Sequence, residues 1–541
     1  MKLRNLVLSA YLATAAFTAQ AQQEAKAPDN WFNLDYDNDG VRGVSTEKAY
    51  EELLKGKKST KIIVSIIDSG VDEEHEDLKD VMWVNEGEIA GNGIDDDNNG
   101  YIDDVHGWNF IGGKDGSNVN QDQLEITRLY VYLKDKKRNK KEEAQYQEIK
   151  KTIDDETNSN MQQIQFYTTL ISSFEKIDVA LDGKPFTYNN VEEVKNSTKD
   201  EKVTVAARLF QNMIYPQMEA GGSTKGDTLE IKELTGQLQG ALDYYEGRAK
   251  YYYNTDFDPR SEIVKDDYMN SKEKYYGNND VTGPDALHGT HVAGIVGASR
   301  GNDVGMDGVA DNVVLMSVRT VPDGDERDKD VANAIRYSVD NGAKIINMSF
   351  GKGYKFDKKA VDKAVCYAQK KGVLLVHAAG NSHLDTDTEA NYPNKYWKDK
   401  NTKKPFYNWI EVGALSWKDG ADAPATFSNY GARNVDLFAP GVDIYSTTPD
   451  NGYQALNGTS MASPVVAGVA ALVWSYYPEL TVKELRQVLV ESTIKVEGKV
   501  YIPGSQGQKE ATFKDLSNTG GVVNAYSALV AAEKIVNAKK K

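Results

Sequence analysis

An α/β fold, with a mostly parallel sheet covered by helices on both faces, is predicted by two patterns in this 541-residue sequence. Continuous runs of β-branched apolar residues recur, as strands buried on both faces require. Amphipathic helical stretches alternate with them, which makes the sheet parallel. A long stretch of different composition interrupts the alternation, so two units are expected at this length.

Taken in order, "MKLRN" is basic, Leu6 to Ala19 is apolar, and Ala19-Gln20-Ala21 is a small-x-small cleavage signal. Residues 1–21 therefore read as a secretory signal peptide cut before Gln22, which predicts export to a periplasm or the medium. The apolar stretch is short for a bilayer span, and no later apolar run is expected to reach membrane length, so no membrane contact is expected after cleavage. "STEKAYEELLKGKK" reads as a surface helix, and "KIIVSIID" as the first strand, ending at Asp68. The alternation resumes with "NVVLMSVRTV", helix-like "DVANAIRYSVDNG", "AKIINMSFG", helix-like "KKAVDKAVCYAQKKG" and "VLLVHAAGN". Asp68, Ser349 and Asn381 each fall where an apolar run ends, and the carboxyl ends of parallel strands are where functional loops gather.

Residues 115–279 are rich in Lys, Glu, Gln and Tyr, with apolar residues at three-to-four spacing. They predict an inserted helical subdomain with enough Leu, Ile, Phe and Tyr to fold. Tyr244, Tyr245, Tyr251, Tyr252 and Tyr253 read as helix-packing aromatics.

A net charge of −17 argues against nucleic acid and anionic membranes as partners. Cys366, the sole cysteine, precludes an internal disulfide and reads as a buried structural thiol on a helix. The sequence leaves the oligomeric state open.

Three dense motifs carry chemistry: "IIVSIIDSG" with Asp68, "HGTHVAGI" with His288 and "NGTSMASP" with Ser460. A serine hydroxyl needs an imidazole to accept its proton, and the imidazole needs a carboxylate to fix its tautomer and stabilise its charged form. Ser460 also precedes "MASPVVAGVAALVW", a buried-helix pattern, which puts its backbone N–H at a positive helix end.

With "DSGVDEEHEDL", "INMSFG", "ATFSNYG" and "VDLFAPGVDIYST", these motifs resemble the subtilisin-like serine proteases, the subtilases, over residues 30–114 and 280–530. The resemblance implies a subtilisin-like fold formed by 22–114 and 280–541, peptide-bond hydrolysis, peptide or protein substrates, and no cofactor in catalysis. It assigns Asp68, His288 and Ser460 to the triad and Asn381 of "HAAGNS" to the oxyanion hole. Substrate would add as a strand between Ser349-Phe350-Gly351 and Ala378-Ala379-Gly380, with Val318 to Val321 on the other flank. An apolar or mixed primary pocket is expected, with Lys352, in place of a smaller residue, drawing acidic side chains. His291 is implied to be structural rather than a zinc ligand. The short stretch between Ala21 and Asp68 leaves no room for the N-terminal prodomain of many subtilases, so either folding proceeds unaided or the insertion guides or gates, the latter being the expectation.

In "NGIDDDNNGYIDDVHGWNF", Asp95, Asp97, Asn99, Gly100 and Asp103 match positions one, three, five, six and nine of an EF-hand loop, with His106 where the bidentate Glu belongs. Alternating oxygen ligands around a glycine predict a structural calcium site at Asp95, Asp97, Asn99 and Asp103. Asp35, Asp37 and Asp39 read as a plain turn. Two other functions stay open: a tripeptidyl-type exopeptidase gated by the insertion, and a silent binding protein on the same fold.

Overall fold

The computed structural model describes residues 26–220, 224–398 and 405–541; the signal peptide predicted at 1–21 lies outside them. The chain divides into two compact units, one formed by 27–125 with 258–541 and the other by 126–257.

The larger unit is built on a nine-stranded sheet among the described residues. In chain order the strands are β1 (Ile62–Asp68), β2 (Gly107–Asn109), β3 (Val313–Arg319), β4 (Ile345–Met348), β5 (Leu374–Ala378), β6 (Trp409–Leu415), β7 (Leu437–Pro440), the hairpin β8 (Ile444–Thr448) with β9 (Gly452–Leu456), β10 (Ile494–Lys495), the pair β11 (Lys499–Tyr501) and β12 (Glu510–Thr512), and β13 (Gly521–Val522). The sheet runs β10-β13-β7-β6-β5-β4-β1-β3-β2, parallel throughout except for β10 against β13.

β1 shows why its sequence is apolar at all positions but Ser65 and the terminal Asp68. Ile62, Val64 and Ile66 enter one core, with the helices Leu287–Gly297 and Thr459–Tyr476, while Ile67 enters a second, with the helices Asp328–Asp340 and Lys358–Lys371. Each Val or Ile buried this way stabilises the fold by roughly 1.5–3 kcal/mol. Strand order reverses at β1, which pairs with β4 on one side and β3 on the other. Such a reversal opens a crevice beyond the carboxyl ends of the strands. Asp68 ends β1, Ser349 follows β4, and Gly380 and Asn381 follow β5.

One expectation is corrected. The helix Thr459–Tyr476, with mean hydropathy 1.2 over 18 residues, is long and apolar enough to cross a membrane by length and composition. It is 89% buried beneath the sheet, so its hydrophobicity serves the core.

The unit 126–257 is helical, with its own core. A helix of 42 residues, Lys140–Leu181, starts at a capping box in which Asn139 caps the helix and Glu142 reaches back to the Asn139 N–H. Its Tyr167, Leu170, Phe174 and Ile177 pack with Val191, Phe210, Leu234 and Leu238 from the helices that follow. Tyr245 stacks on Tyr167 at 5.8 Å, whereas Tyr244 is exposed and bonds Arg248. This unit is narrower than the predicted insertion 115–279, because both flanks pack with the sheet. Asn109 and Asn278 exchange backbone hydrogen bonds at 2.9 and 3.1 Å. Arg260 is buried between Asp266 at 2.7 Å and Asp330 at 2.6 Å. A composition boundary thus overruns the folding boundary where polar residues are buried in pairs.

Candidate active site

His288 lies in the first turn of the helix Leu287–Gly297, half-exposed, and its Nδ1 is 2.6 Å from Asp68 Oδ1. Asp68 is buried, and the same oxygen accepts from the Ser69 N–H at 2.8 Å. Burial works against a charged His288 ring, but the charge and hydrogen bond of Asp68, helped by Asp285, outweigh it and raise the pKa above the ordinary 6.5. His291, one turn on, is buried, and its Nε2–H donates to Gln454 O at 3.0 Å; burial, chiefly, lowers its pKa to about 4, so it stays neutral.

Ser460 is the second residue of the helix Thr459–Tyr476. Pro464 stands four residues later and has no N–H to give the Ser460 carbonyl. Ser349 Oγ donates to that carbonyl instead, at 2.8 Å, and is itself held by Asn347 Nδ2 at 2.9 Å. In return, Ser460 Oγ donates to Ser349 O at 3.1 Å. The proline was visible in the sequence, and an orphaned carbonyl at the nucleophile was its readable consequence. Ser349 and His288 line one pocket with Asp68, Asp285, Asn120 and Val321, so the exchange of bonds with Ser349 brings Ser460 to the same place.

Asn381 Oδ1 accepts from both the N–H and the hydroxyl of Thr459, each at 2.9 Å. Its Nδ2 is left without a partner among the described residues. A point one methyl away from the Gly458 Cα lies 3.4 Å from Ser460 N and 3.5 Å from Asn381 Nδ2. Two donors therefore face one small volume, and one of them belongs to the unsatisfied first turn of a helix. Gly380 makes the approach by adopting φ +102°, with its N–H on Thr459 Oγ1 at 3.0 Å and Asn429 where a side chain would stand.

The predicted walls flank Ser460, with differences in detail. Phe350 turns its ring inward against His377, so only its backbone faces the cleft. Ala378 and Ala379 are buried, and the Ala379 carbonyl accepts amides from Asn391 at 3.0 Å and Asn429 at 2.8 Å. On the opposite flank Val318, Arg319 and Thr320 are all buried, and Arg319 and Val321 line the pocket. Lys352 corrects the expectation of a lure for acidic substrates. Its ammonium is buried between Glu125 at 2.8 Å and Asp328 at 2.9 Å, and it donates to Glu326 O. The charge is spent inside the protein.

In the loop 85–106 the carboxylates of Asp95 and Asp97 come together with Glu88, their oxygens within 4.8 Å of one another. Asp103 turns away, taking the N–H groups of Asn92 and Gly93 at 3.1 and 2.8 Å. Asn99 Oδ1 accepts from the Tyr101 N–H, and His106 bonds Trp83 O at 2.8 Å. Glu88 lies before the EF-hand pattern and was invisible to a reading by alternate positions. Asp104 anchors the loop through Tyr337 and Asn85, and burial raises its carboxyl to about 6. Asp35 caps a short helix, Tyr36–Asp39, as a turn of that composition does. Cys366 sits half-buried on the helix Lys358–Lys371.

Residues 59–526 match the profile of the subtilase family, Peptidase_S8. The chain is 42% identical over 212 residues to the thermophilic serine proteinase of Bacillus sp. strain AK1, a match covering 39% of this chain and 48% of that protein. It is 40% identical over 218 residues to subtilisin DY of Bacillus licheniformis, covering 40% and 73%. With thermitase of Thermoactinomyces vulgaris it shares 41% over 189 residues, covering 35% and 61%. The chain thus spans about half the length of the first relative and less than three quarters of the second. With most of its length inside the family profile, and with Asp68, His288 and Ser460 gathered at the rim of a parallel sheet, the chain belongs to the subtilase family.

Proposed function

We propose that the protein is an exported serine endopeptidase that acts through an acyl-enzyme on Ser460. The observation that carries this reading is the 2.6 Å contact of His288 Nδ1 with Asp68, at a pocket whose wall residue Ser349 exchanges hydrogen bonds with Ser460. Ser460 Oγ rotates from Ser349 O toward His288 Nε2, loses its proton to that nitrogen and attacks the peptide carbonyl carbon. Negative charge that develops on the carbonyl oxygen meets the N–H of Ser460 and Nδ2 of Asn381. His288 returns the proton to the leaving amine as the C–N bond breaks. It then deprotonates a water that attacks the acyl carbon, and returns that proton to Ser460 Oγ as the ester C–O bond breaks and the carboxylic acid leaves. Asp68 holds the ring in the tautomer that presents Nε2 as acceptor and steadies the imidazolium. Peptides and proteins are the substrates this geometry fits, supported by an open cleft between two backbone walls. Export is supported by the leader at 1–21, and a mature N-terminus at Gln22 checks it.

The test is cleavage of N-terminally blocked peptides by the full chain, together with fluorophosphonate labelling that disappears in Ser460→Ala. The free enzyme needs a neutral His288, and its pKa is raised, so kcat/KM rises with pH through an apparent pKa above 6.5. An unlabelled Ser460 would sink the proteolytic reading. Cleavage restricted to peptides with free amino termini would make the protein an exopeptidase.

Glu88, Asp95 and Asp97 are proposed to hold a calcium ion. Three carboxylates so close repel one another unless a cation sits among them, and oxygen donors suit calcium. Its part would be to steady the loop 85–106. Calcium is expected to raise the thermal midpoint of the wild type and to leave Glu88→Gln unchanged; equal responses would remove the site.

A further inference from the structure

Arg319 ends β3 directly across from Asp68 in the strand register. It is 1% exposed, and its guanidinium donates to three uncharged oxygens: Ser69 O through Nε at 2.7 Å, Asn109 Oδ1 through Nη1 at 3.2 Å, and Val119 O through Nη2. Burial lowers its pKa to about 10, and the charges of Asp280 and Asp285 offset only part of that. A buried cation bonded to neutral oxygens costs stability that an apolar side chain would not. Its placement supplies the reason to keep it. Asp68 is held at one oxygen: Oδ1 takes the Ser69 N–H and faces His288 Nδ1, whereas the buried Oδ2 has no hydrogen bond among the described residues. The aim of the carboxylate therefore depends on the Ser69 backbone, and Arg319 holds the carbonyl of that same residue. The guanidinium also backs the loop that delivers His288. Gly283, at φ +67°, lies against it, and a methyl added there would stand 2.7 Å from Arg319 Cζ. This loop is joined to the turn after Asp68 by Val71 N–H to Val281 O and Thr282 Oγ1 to Val71 O, each 3.0 Å.

We propose that Arg319 is a positioning residue for the Asp68–His288 pair, clamping the turn after Asp68 and the loop 281–287 in one arrangement so that the carboxylate meets His288 Nδ1. The proposal rests on the proteolytic reading above, since only a reaction that charges the imidazole needs that contact held. Arg319 touches no reacting atom in this role. It acts through the Ser69 carbonyl on one side and the Gly283 backbone on the other. A planar fork suits the task because donors on one rigid group fix several segments at once, which the single ammonium of a lysine does not.

The experiment measures kcat, KM and the pH dependence of kcat/KM on an N-terminally blocked peptide, per fluorophosphonate-reactive serine, for the full chain and for Arg319→Met, Arg319→Lys and Gly283→Ala. Arg319→Met is expected to lower kcat by about 100-fold, as misplacing a reacting group by about 1 Å does, with KM within about twofold. Its apparent pKa in kcat/KM is expected to fall toward 6.5, because a misaimed Asp68 supports the imidazolium less. Arg319→Lys is expected to recover part of kcat. Gly283→Ala keeps the charge but displaces the fork, and is expected to move kcat and the pKa in the same directions, so the result is readable even where Arg319→Met fails to fold. A pKa that rises in Arg319→Met would show a repelling charge instead of a clamp and overturn the proposal. A folded variant with a lower thermal midpoint but the wild-type kcat and pH profile would overturn it as well. If the wild type cuts nothing and Ser460 takes no label, the proteolytic reading falls and the proposal with it; a wild type that cuts, matched by its variants, leaves that reading standing and removes only the role of Arg319.

Discussion

Replacing His288 by Ala, or Ser460 by Ala, is expected to lower kcat for blocked peptides by about 10⁶-fold, the size known from dismantling a subtilisin's triad, and replacing both is expected to cost no more than replacing one. The lack of additivity follows from the mechanism. Ser460 Oγ is a poor nucleophile until His288 takes its proton, and His288 without the alcohol has nothing to activate. The two therefore act as one device, and its first loss is its whole loss. The oxyanion donors, Ser460 N–H and Asn381 Nδ2, remain in His288→Ala, so some catalysis over water persists. Peptide hydrolysis by the two single variants and the double variant reads the result directly. Losses that multiply would show two independent contributions, and the roles given to these residues would be wrong.

The second large effect is on stability. Lys352→Met is expected to destabilise the larger unit by roughly 3–5 kcal/mol, because it strands two buried carboxylates. The side chains of Lys352 and Glu125 are 1% and 0% exposed, and that of Asp328 is 7%, so water cannot replace the ammonium. At a few degrees per kcal/mol for a unit this large, the thermal midpoint drops by roughly 10 °C. Adding Glu125→Gln to Lys352→Met is expected to recover part of the loss, since it removes one of the orphaned charges. A single variant that melts with the wild type would mean that the pair is solvated after all.

Lys352 also marks where the sequence could be read and where it could not. The sheet was legible because a strand buried on both faces is apolar at nearly every position, as β1 is apart from Ser65 and the terminal Asp68. The pairing of His288 with Asp68 was legible because both sit in dense, local motifs. Lys352 was misjudged because a sequence shows a charge but not the direction of its side chain, and its two partners lie far away in the chain. Glu88 escaped because loop patterns count forward from their first aspartate. The insertion was legible as helical, yet its edges were drawn too wide, because Arg260 and its aspartates look like surface until Asp330 is found opposite.

The helix that bears Ser460 has a further consequence for biogenesis. It belongs to the core beneath β4 to β7, yet it is synthesised after all of those strands and after Asp68 and His288. A nascent polypeptide therefore carries the proposed base, His288, and its orienting Asp68 long before it has the proposed nucleophile, Ser460. On the mechanism proposed, lytic capacity arrives only as this apolar helix docks.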